Sequence, residues 1–262
     1  MVGNLYVGTS GFAYDEWRGS FYPRDVKQRD MLAFYAGRFN SVEINYTFRK
    51  QPEEQTLRNW RNAAPDGFLF SLKAHQRITH SRRLADSDPA VSDFVERAKT
   101  LGPSLGVILF QCPPNLRFDR SLIESFLAFL PPGLRFAFEF RHQSWEAAKD
   151  ALASQRAAWC VAETDETPWP IDFPTSPFIY LRLRRTHYSD DDLRHRASAA
   201  ASALKSGTDV YCYFKHEEAG AGPRFAERFR AFVQEVLDSE RLPNLRDLGQ
   251  GGKDLLEKRG VG

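Results

Sequence analysis

The chain has 262 residues, 42% of them hydrophobic, and a formal net charge of +2. That length and apolar content suit one large α/β domain with a sizeable core, and the near-neutral balance creates no electrostatic demand for a nucleic-acid or membrane partner. Cys112, Cys160 and Cys212 lie too far apart for CxxC spacing. Cys160 and Cys212 fall in apolar runs, so they read as buried thiols in a reducing compartment. No signal-peptide pattern follows Met1, and no apolar run is long enough to cross a bilayer, so a cytoplasmic protein is expected.

Leu5 to Ser10 reads as a short strand, followed by an aromatic loop from Phe12 to Pro23 that is too long to be mere connection. A helix is expected over Met31–Phe39 and a second strand over Asn40–Thr47. In that strand Val42 and Ile44 face one way, Glu43, Asn45 and Thr47 the other. A helix over Glu53–Asn62 stops before the turn Pro65-Asp66-Gly67. Phe68–His75 forms strand three, with Ser71, Lys73 and His75 opposite Phe70 and Leu72. The loop Gln76–Ser87 leads into a helix from Pro89 to Leu101. Leu105–Gln111 is strand four, and a helix over Asp119–Leu130 carries an Asp N-cap. Arg135–Arg141 alternates Phe136, Phe138 and Phe140 with Ala137, Glu139 and Arg141, giving strand five with its charges late. Ser144 is placed as N-cap of a helix to Gln155. Ala157–Glu163 is strand six. The segment from Thr164 to Pro177 holds too many prolines for an ordinary helix. Phe178–Arg184 is strand seven, Ser189–Lys205 a helix, Asp209–Lys215 strand eight, and Arg224–Leu237 a last helix.

Eight strands alternating with about seven helices imply a parallel sheet. The expected fold is a single (β/α)8 TIM-like barrel with an atypical or missing sixth helix, over residues 1–238, with 239–262 a charged, Gly-containing tail. An open doubly wound sheet would want strands apolar on both faces. Here one face turns polar toward each strand's C-terminal end, which a barrel with its site at that end explains.

The positions pointing into such a mouth are Ser10, Glu43, Asn45, Lys73, His75, Gln111, Glu139, Arg141, Arg182, Arg184, Tyr213 and Lys215. Charges inside a barrel are expensive unless paired or wet, and here the cations outnumber the acids, which predicts an anionic ligand carrying phosphate or carboxylate. Glu43, Glu139 and Lys73 are the candidates for acid/base chemistry, with His80 beside them. Ser10, Asn45, Gln111, Arg141, His142, Arg182, Arg184, Tyr213 and Lys215 are candidates for holding the substrate. Trp17 and Trp145 are candidate stacking surfaces, though aromatic loops also pack on themselves. His80, His142 and His187 with Glu43, Glu139 and Asp165 could form a divalent-metal site, but no HxH or HExxH spacing supports one, so no metal or cofactor is assigned. Inter-strand salt bridging is the rival reading of the charged layer.

Several motifs together resemble the DUF72 (YecE-like) family. They are Val7-Gly8-Thr9-Ser10-Gly11-Phe12 through Trp17-Arg18-Gly19-Ser20-Phe21-Tyr22-Pro23; Phe39-Asn40-Ser41-Val42-Glu43-Ile44-Asn45 with Thr47-Phe48; Ile78-Thr79-His80 with Arg83-Leu84; Leu101-Gly102-Pro103; Gln111 with Pro113-Pro114; and Glu139-Phe140-Arg141-His142 with Ser144-Trp145. The resemblance runs from about residue 5 to 237. It implies a TIM-barrel fold and names no reaction. The chain departs from the family pattern at Arg49-Lys50, Leu183-Arg184 and Lys215-His216, all toward more basic character. The expected function is an enzyme using acid/base chemistry on a small anionic substrate. The alternatives are a metal-dependent phosphodiesterase or nuclease, and a non-catalytic nucleotide or nucleic-acid binding protein. Oligomeric state is not legible.

Overall fold

The computed structural model describes residues 1–167, 169, 177–215 and 220–239. In chain order they give β1 (Leu5–Thr9), α1 (Met31–Ala36), β2 (Ser41–Ile44), α2 (Tyr46–Arg49), α3 (Glu54–Ala63), β3 (Leu69–Lys73), α4 (Asp88–Ala98), β4 (Leu105–Gln111) and α5 (Arg120–Phe129). Then follow β5 (Arg135–Glu139), α6 (Lys149–Ser154), β6 (Ala158–Glu163), β7 (Phe178–Leu183), α7 (Asp190–Lys205), β8 (Asp209–Phe214) and α8 (Ala221–Ser239). The eight strands are parallel, in the order β1-β8-β7-β6-β5-β4-β3-β2. The arrangement is the (β/α)8 barrel. Among the described residues between β6 and β7 there is no helix; residues 168 and 170–176 of the proline-rich stretch, and the tail from 240 on, lie outside the described residues.

The alternation in each strand sorts two cores. Val42, Phe70, Leu72, Phe110, Phe136 and Phe138 face the helices, while Leu69, Val107, Leu109, Ala137, Tyr180 and Tyr211 fill the lumen, as in a packed barrel interior. Low in the lumen the Tyr213 hydroxyl meets Ser41 Oγ at 2.6 Å and Ser71 Oγ at 2.8 Å. These small polar partners satisfy a phenol that would otherwise be buried at a cost.

The barrel closes between β1 and β2 without an ordinary ladder. One bridge, Ser10 to Glu43, joins them, with Gly11 N donating to Glu43 O at 2.7 Å. Below it side chains replace backbone partners. Val7 N donates to Asn40 Oδ1 (2.9 Å), Asn40 Nδ2 to Leu5 O (2.7 Å), and Thr9 N to the Tyr35 hydroxyl (2.7 Å). The strands approach so closely that a Cβ on Gly8 would lie 1.9 Å from Ser41 O, so glycine is required there.

Local chemistry sets the element ends. Asp119 caps α5 through Leu122 N, and Ser189 opens α7 with a capping box to Asp192, as helix-start rules anticipate. Three expectations are corrected. Strand two ends at Ile44, because the Thr47 hydroxyl donates to Ile44 O (3.0 Å) and Lys73 O (2.6 Å), turning the chain into α2. The loop after β3 contains a wide helical turn over Arg77–Ser81. Ser144 is not the cap of the helix after β5: His142 Nδ1 accepts from Ser144 N (3.2 Å), and Ser144 Oγ takes Phe118 N (2.9 Å).

Candidate functional site

The C-terminal end of the lumen is filled by a charge network. Glu43 on β2 is fully buried, and its carboxylate is surrounded by donors: Ser10 Oγ (2.8 Å), the Tyr180 hydroxyl (2.8 Å), and Arg182 through both Nε (2.9 Å) and Nη2 (2.9 Å). Arg182 also donates through Nη1 to Glu139 Oε2, and Arg141 Nε donates to Glu139 Oε1 at 3.0 Å. One guanidinium from β7 therefore ties β2 to β5 across the barrel. Burial pushes both carboxyls upward, but Arg182 overcomes it. Glu43 ends below its ordinary value, and Arg182 with Arg141 holds Glu139 at about 2. Both acids are ionised acceptors at neutral pH.

Two partly buried cations share this end of the barrel. Lys73, at the end of β3, has no ion pair or hydrogen bond for its ammonium among the described residues. It lies over the Phe48 ring, 3.9 Å from the centroid, a cation–π contact. Burial and the nearby Arg182 charge bring Lys73 down to about 8, against the pull of Glu43 and Glu139. Arg184, just past β7, likewise has no carboxylate within ion-pair distance among the described residues; burial first and Arg182 second depress it. Arg184 lines an open cleft of about 530 Å³ together with Glu139, Arg141, Ala162 and Lys215. The β6 loop completes the cleft with Thr164, Asp165, Glu166 and Thr167. Asp165 is turned aside, accepting from Thr186 N (3.1 Å) and lying 3.9 Å from Arg185 Nε.

The geometry thus gathers Ser10, Glu43, Lys73, Glu139, Arg141, Arg182 and Arg184 around one rim. Gln111 is at that rim too, level with Glu139 in the β4–β5 register. His80 Nδ1 pairs with Thr79 Oγ1 (2.9 Å), and its ring meets Phe48 edge-on. Burial and the Lys73, Arg141 and Arg83 charges lower its pKa, so it is neutral at pH 7. Lys215 N donates to Leu183 O (2.9 Å), which fixes its backbone beside β7.

Several sequence expectations are corrected. Trp17 and Trp145 are wholly buried. Trp17 packs among Tyr14, Phe21 and Tyr22; Trp145 stacks on Phe140 at 4.0 Å and donates to Leu116 O. Neither has a face for a ligand. Tyr213 is sealed beneath the mouth by its serine partners. Arg182 and Ser10, fully engaged and buried, hold Glu43 and do not present to solvent. Asn45 leaves the mouth because β2 ends before it, and it lines a separate cleft with Tyr46 and Trp60. His142 serves as a cap, and His75 Nδ1 accepts from Arg77 N at 3.2 Å. His187 packs by Phe225, away from His80. Among the described residues no three His, Cys, Asp or Glu side chains converge as a metal-ligand set. His216 lies outside the described residues.

Two contributors were missed from sequence. Tyr180 shares the lumen-facing phase of Arg182, so period-two alternation could have placed it. Phe48 had no signal, because the early end of β2 decides where it points. Outside the barrel Glu163, also buried, is held by Arg196 Nε (3.1 Å) and the Tyr188 hydroxyl (3.2 Å). That cluster ties β6 to α7 and does not face the mouth.

A parallel eight-stranded barrel with a charged network at the strands' C-terminal ends defines a TIM-barrel protein, and the network lies at the end where that architecture usually carries its site. The chain belongs to the DUF72 family, described as a protein of unknown function, whose profile matches residues 6–246. It is 32% identical over 146 residues to the UPF0759 protein YecE of Escherichia coli, and 26% identical over 149 residues to the UPF0759 protein YunF of Bacillus subtilis. These matches cover 55% and 54% of this chain but 50% and 52% of those proteins, so the chain spans about half the length of the curated relatives it matches. Among solved structures, a DUF72 family protein from Thermotoga maritima superposes with a TM-score of 0.77 at 23% identity, over 88% of this chain and 99% of that one. One from Enterococcus faecalis gives 0.70 at 17% identity, over 90% and 98%. A methyltransferase from Methanosarcina mazei, at 0.52 and 11% identity, shares the fold alone. No helix among the described residues is long and apolar enough to cross a membrane.

Proposed function

We propose that the mouth binds a small phosphate- or carboxylate-bearing substrate and that Lys73 transfers a proton to or from it. The observation that carries this reading is the distribution of partners. Glu43 and Glu139 are occupied by Arg182 and Arg141, whereas Lys73 and Arg184 are partly buried cations without a carboxylate among the described residues. Partly desolvated charge without a counter-ion is costly, and an anionic ligand group supplies the missing partner. Lys73, held at about 8, exchanges protons close to neutral pH, where general acid–base catalysis is most efficient. Glu43 and Glu139, fixed as anions, act through charge: they orient Arg182 and restrain Lys73 from falling further. Lys215 and Gln111 are further contacts at the rim.

The test is a thermal-shift and turnover screen of phosphorylated and carboxylated metabolites, with Arg184→Gln and Lys73→Met alongside wild type. The reading expects a compound that stabilises wild type and is consumed. Arg184→Gln should weaken its binding by about tenfold or more, in keeping with loss of a charge-assisted contact. Lys73→Met should abolish turnover while retaining part of the binding. Stabilisation by uncharged analogues equal to that by the anions would overturn it.

A further inference from the structure

Lys73 offers chemistry that an ionic grip on an anion does not use. Its nitrogen sits on the face of Phe48, 3.9 Å from the ring centroid, a surface that attracts a cation but fixes none of its protons in place. Glu43 and Glu139 pull on it from nearby, yet their oxygens are taken by Ser10, Tyr180, Arg182 and Arg141. Among the described residues the nitrogen therefore has no hydrogen-bond acceptor, while burial and the Arg182 charge favour its neutral form. A partly desolvated lysine beside another cation is the setting in which the amine becomes a nucleophile toward carbonyl carbon. At about 8, about one molecule in ten carries a free lone pair at pH 7; at the ordinary 10.5 the share is below about one in a thousand.

A proton carrier stands on the same ring. His80 meets Phe48 with centroids 5.0 Å apart and planes at 79°. Burial depresses His80 most, and Lys73 leads the charges that depress it further. The loop that delivers it has an uncommon shape. Arg77–Ser81 forms a wide π-type turn, and Arg83, Leu84 and Asp86 follow with φ of +54°, +69° and +43°, a region side chains seldom adopt. Ile78 and Thr79 are fully buried beneath it. Leu84 N donates to Ile78 O at 3.0 Å and Arg83 Nη1 to Asn115 Oδ1 at 3.0 Å, so the surroundings enforce the strained backbone. Such turns and such strain gather where a side chain must be held for function. Thr79 Oγ1 occupies His80 Nδ1 at 2.9 Å, which leaves Nε2 of a neutral imidazole for proton exchange.

From the unanchored nitrogen and the histidine on the same ring, we infer that Lys73 captures a carbonyl carbon as an imine, that His80 relays the protons, and that the substrate class is an anionic aldehyde or ketone whose charged group lies at Arg184. The inference rests on the anion-binding reading above and deepens it. The Lys73 ammonium gives one proton to His80 Nε2. The freed pair bonds to the carbonyl carbon, the carbonyl π pair moves to oxygen, and oxygen takes that proton from His80. His80 then removes a second proton from the nitrogen. The nitrogen pair expels the hydroxyl, which leaves as water with the proton from His80. Ammonium and carbonyl thus become a protonated imine and water, with no net proton, oxidant or reductant consumed.

The test traps the imine. The full chain is incubated with sodium cyanoborohydride and dihydroxyacetone phosphate, with uncharged dihydroxyacetone as its matched partner and pyruvate as the carboxylate arm. Peptide mass spectrometry then locates the reduced adduct. Lys73 should be labelled about tenfold or more faster than any other lysine, and faster by the phosphate ester than by dihydroxyacetone. Arg184→Gln should remove that preference for the charged probe, and Lys73→Arg should leave its peptide unlabelled. His80→Ala should slow labelling of Lys73 by about a hundredfold, and added imidazole should restore part of the rate, which a merely structural role would not allow. No adduct at Lys73, or adducts spread evenly over the lysines, would overturn the inference; an anion that still stabilised the protein and was consumed would leave the anion reading standing without it. An unchanged rate in His80→Ala would overturn the relay. Labelling of Lys73 that ignored both probe charge and Arg184→Gln would overturn the anionic substrate class and the anion reading with it.

Discussion

At the scale of single residues, Arg182 and Lys73 stand in opposite situations. Arg182 is buried and doubly paired, so removing it strands two carboxylates in the lumen. Arg182→Met should cost about 3–5 kcal/mol of folding stability, read from denaturant midpoints; a change below 1 kcal/mol would mean the network is not holding β2 to β5. Glu139 gives a pH signature. Its carboxyl sits at about 2 against an ordinary 4.5. Its stabilising contribution is therefore present above pH 4.5 and is lost as pH falls toward 2. Glu139→Gln should be less stable at neutral pH and should show a flatter acid limb between those values. Lys73 runs the other way. A cation lowered from 10.5 to about 8 binds fewer protons folded than unfolded, so the fold gains stability as pH rises from 8 to 10.5. At pH 7 Lys73→Met should be more stable than wild type, on the order of 1–3 kcal/mol, while losing turnover. A loss of stability in that variant would show that Lys73 has a structural partner. Stability traded for an uncompensated charge is a common feature of binding sites.

At the scale of elements, the weak point of the barrel is the β1–β2 seam. Tyr35 and Asn40 stand in there for backbone partners, and Gly8 allows the approach. Tyr35→Phe leaves Thr9 N–H and Thr9 Oγ1 short of a partner and should cost about 1–3 kcal/mol. Amide exchange should quicken at Val7 and Thr9 before it does in β4. Uniform protection across all eight strands would contradict this. The strands themselves were legible because period-two alternation survives in each of them, from Phe68-Phe70-Leu72 against Leu69-Ser71-Lys73 to Phe136-Phe138 against Ala137-Glu139. What was not legible depended on side chains acting on backbone. Thr47 ends β2 early by its hydrogen bonds, which removes Asn45 from the mouth and brings Phe48 to Lys73. His142, an uncommon cap, takes the place expected of Ser144. Trp17 and Trp145 illustrate the same limit, since sequence places an aromatic in a loop but not which neighbours bury it.

At the scale of the whole molecule, the barrel brings distant segments to one end, and the sequence already placed Glu43, Lys73, Glu139, Arg141, Arg182 and Arg184 there by strand phase. Sequence could not tell which cations would be neutralised, because pairing depends on reach across the lumen. The structure divides them: Arg182 and Arg141 pair with the carboxylates, whereas Lys73 and Arg184 have no carboxylate within ion-pair distance among the described residues. The relatives share the fold over nearly their full resolved length, so the division can be sought in them by the same geometry. The most direct measurement is an anomalous difference map from crystals soaked in selenate. The account predicts a selenium peak in hydrogen-bonding reach of Arg184 and Lys73 that disappears in Arg184→Gln. A peak absent from the mouth, with Arg184 paired to a carboxylate there, would contradict it.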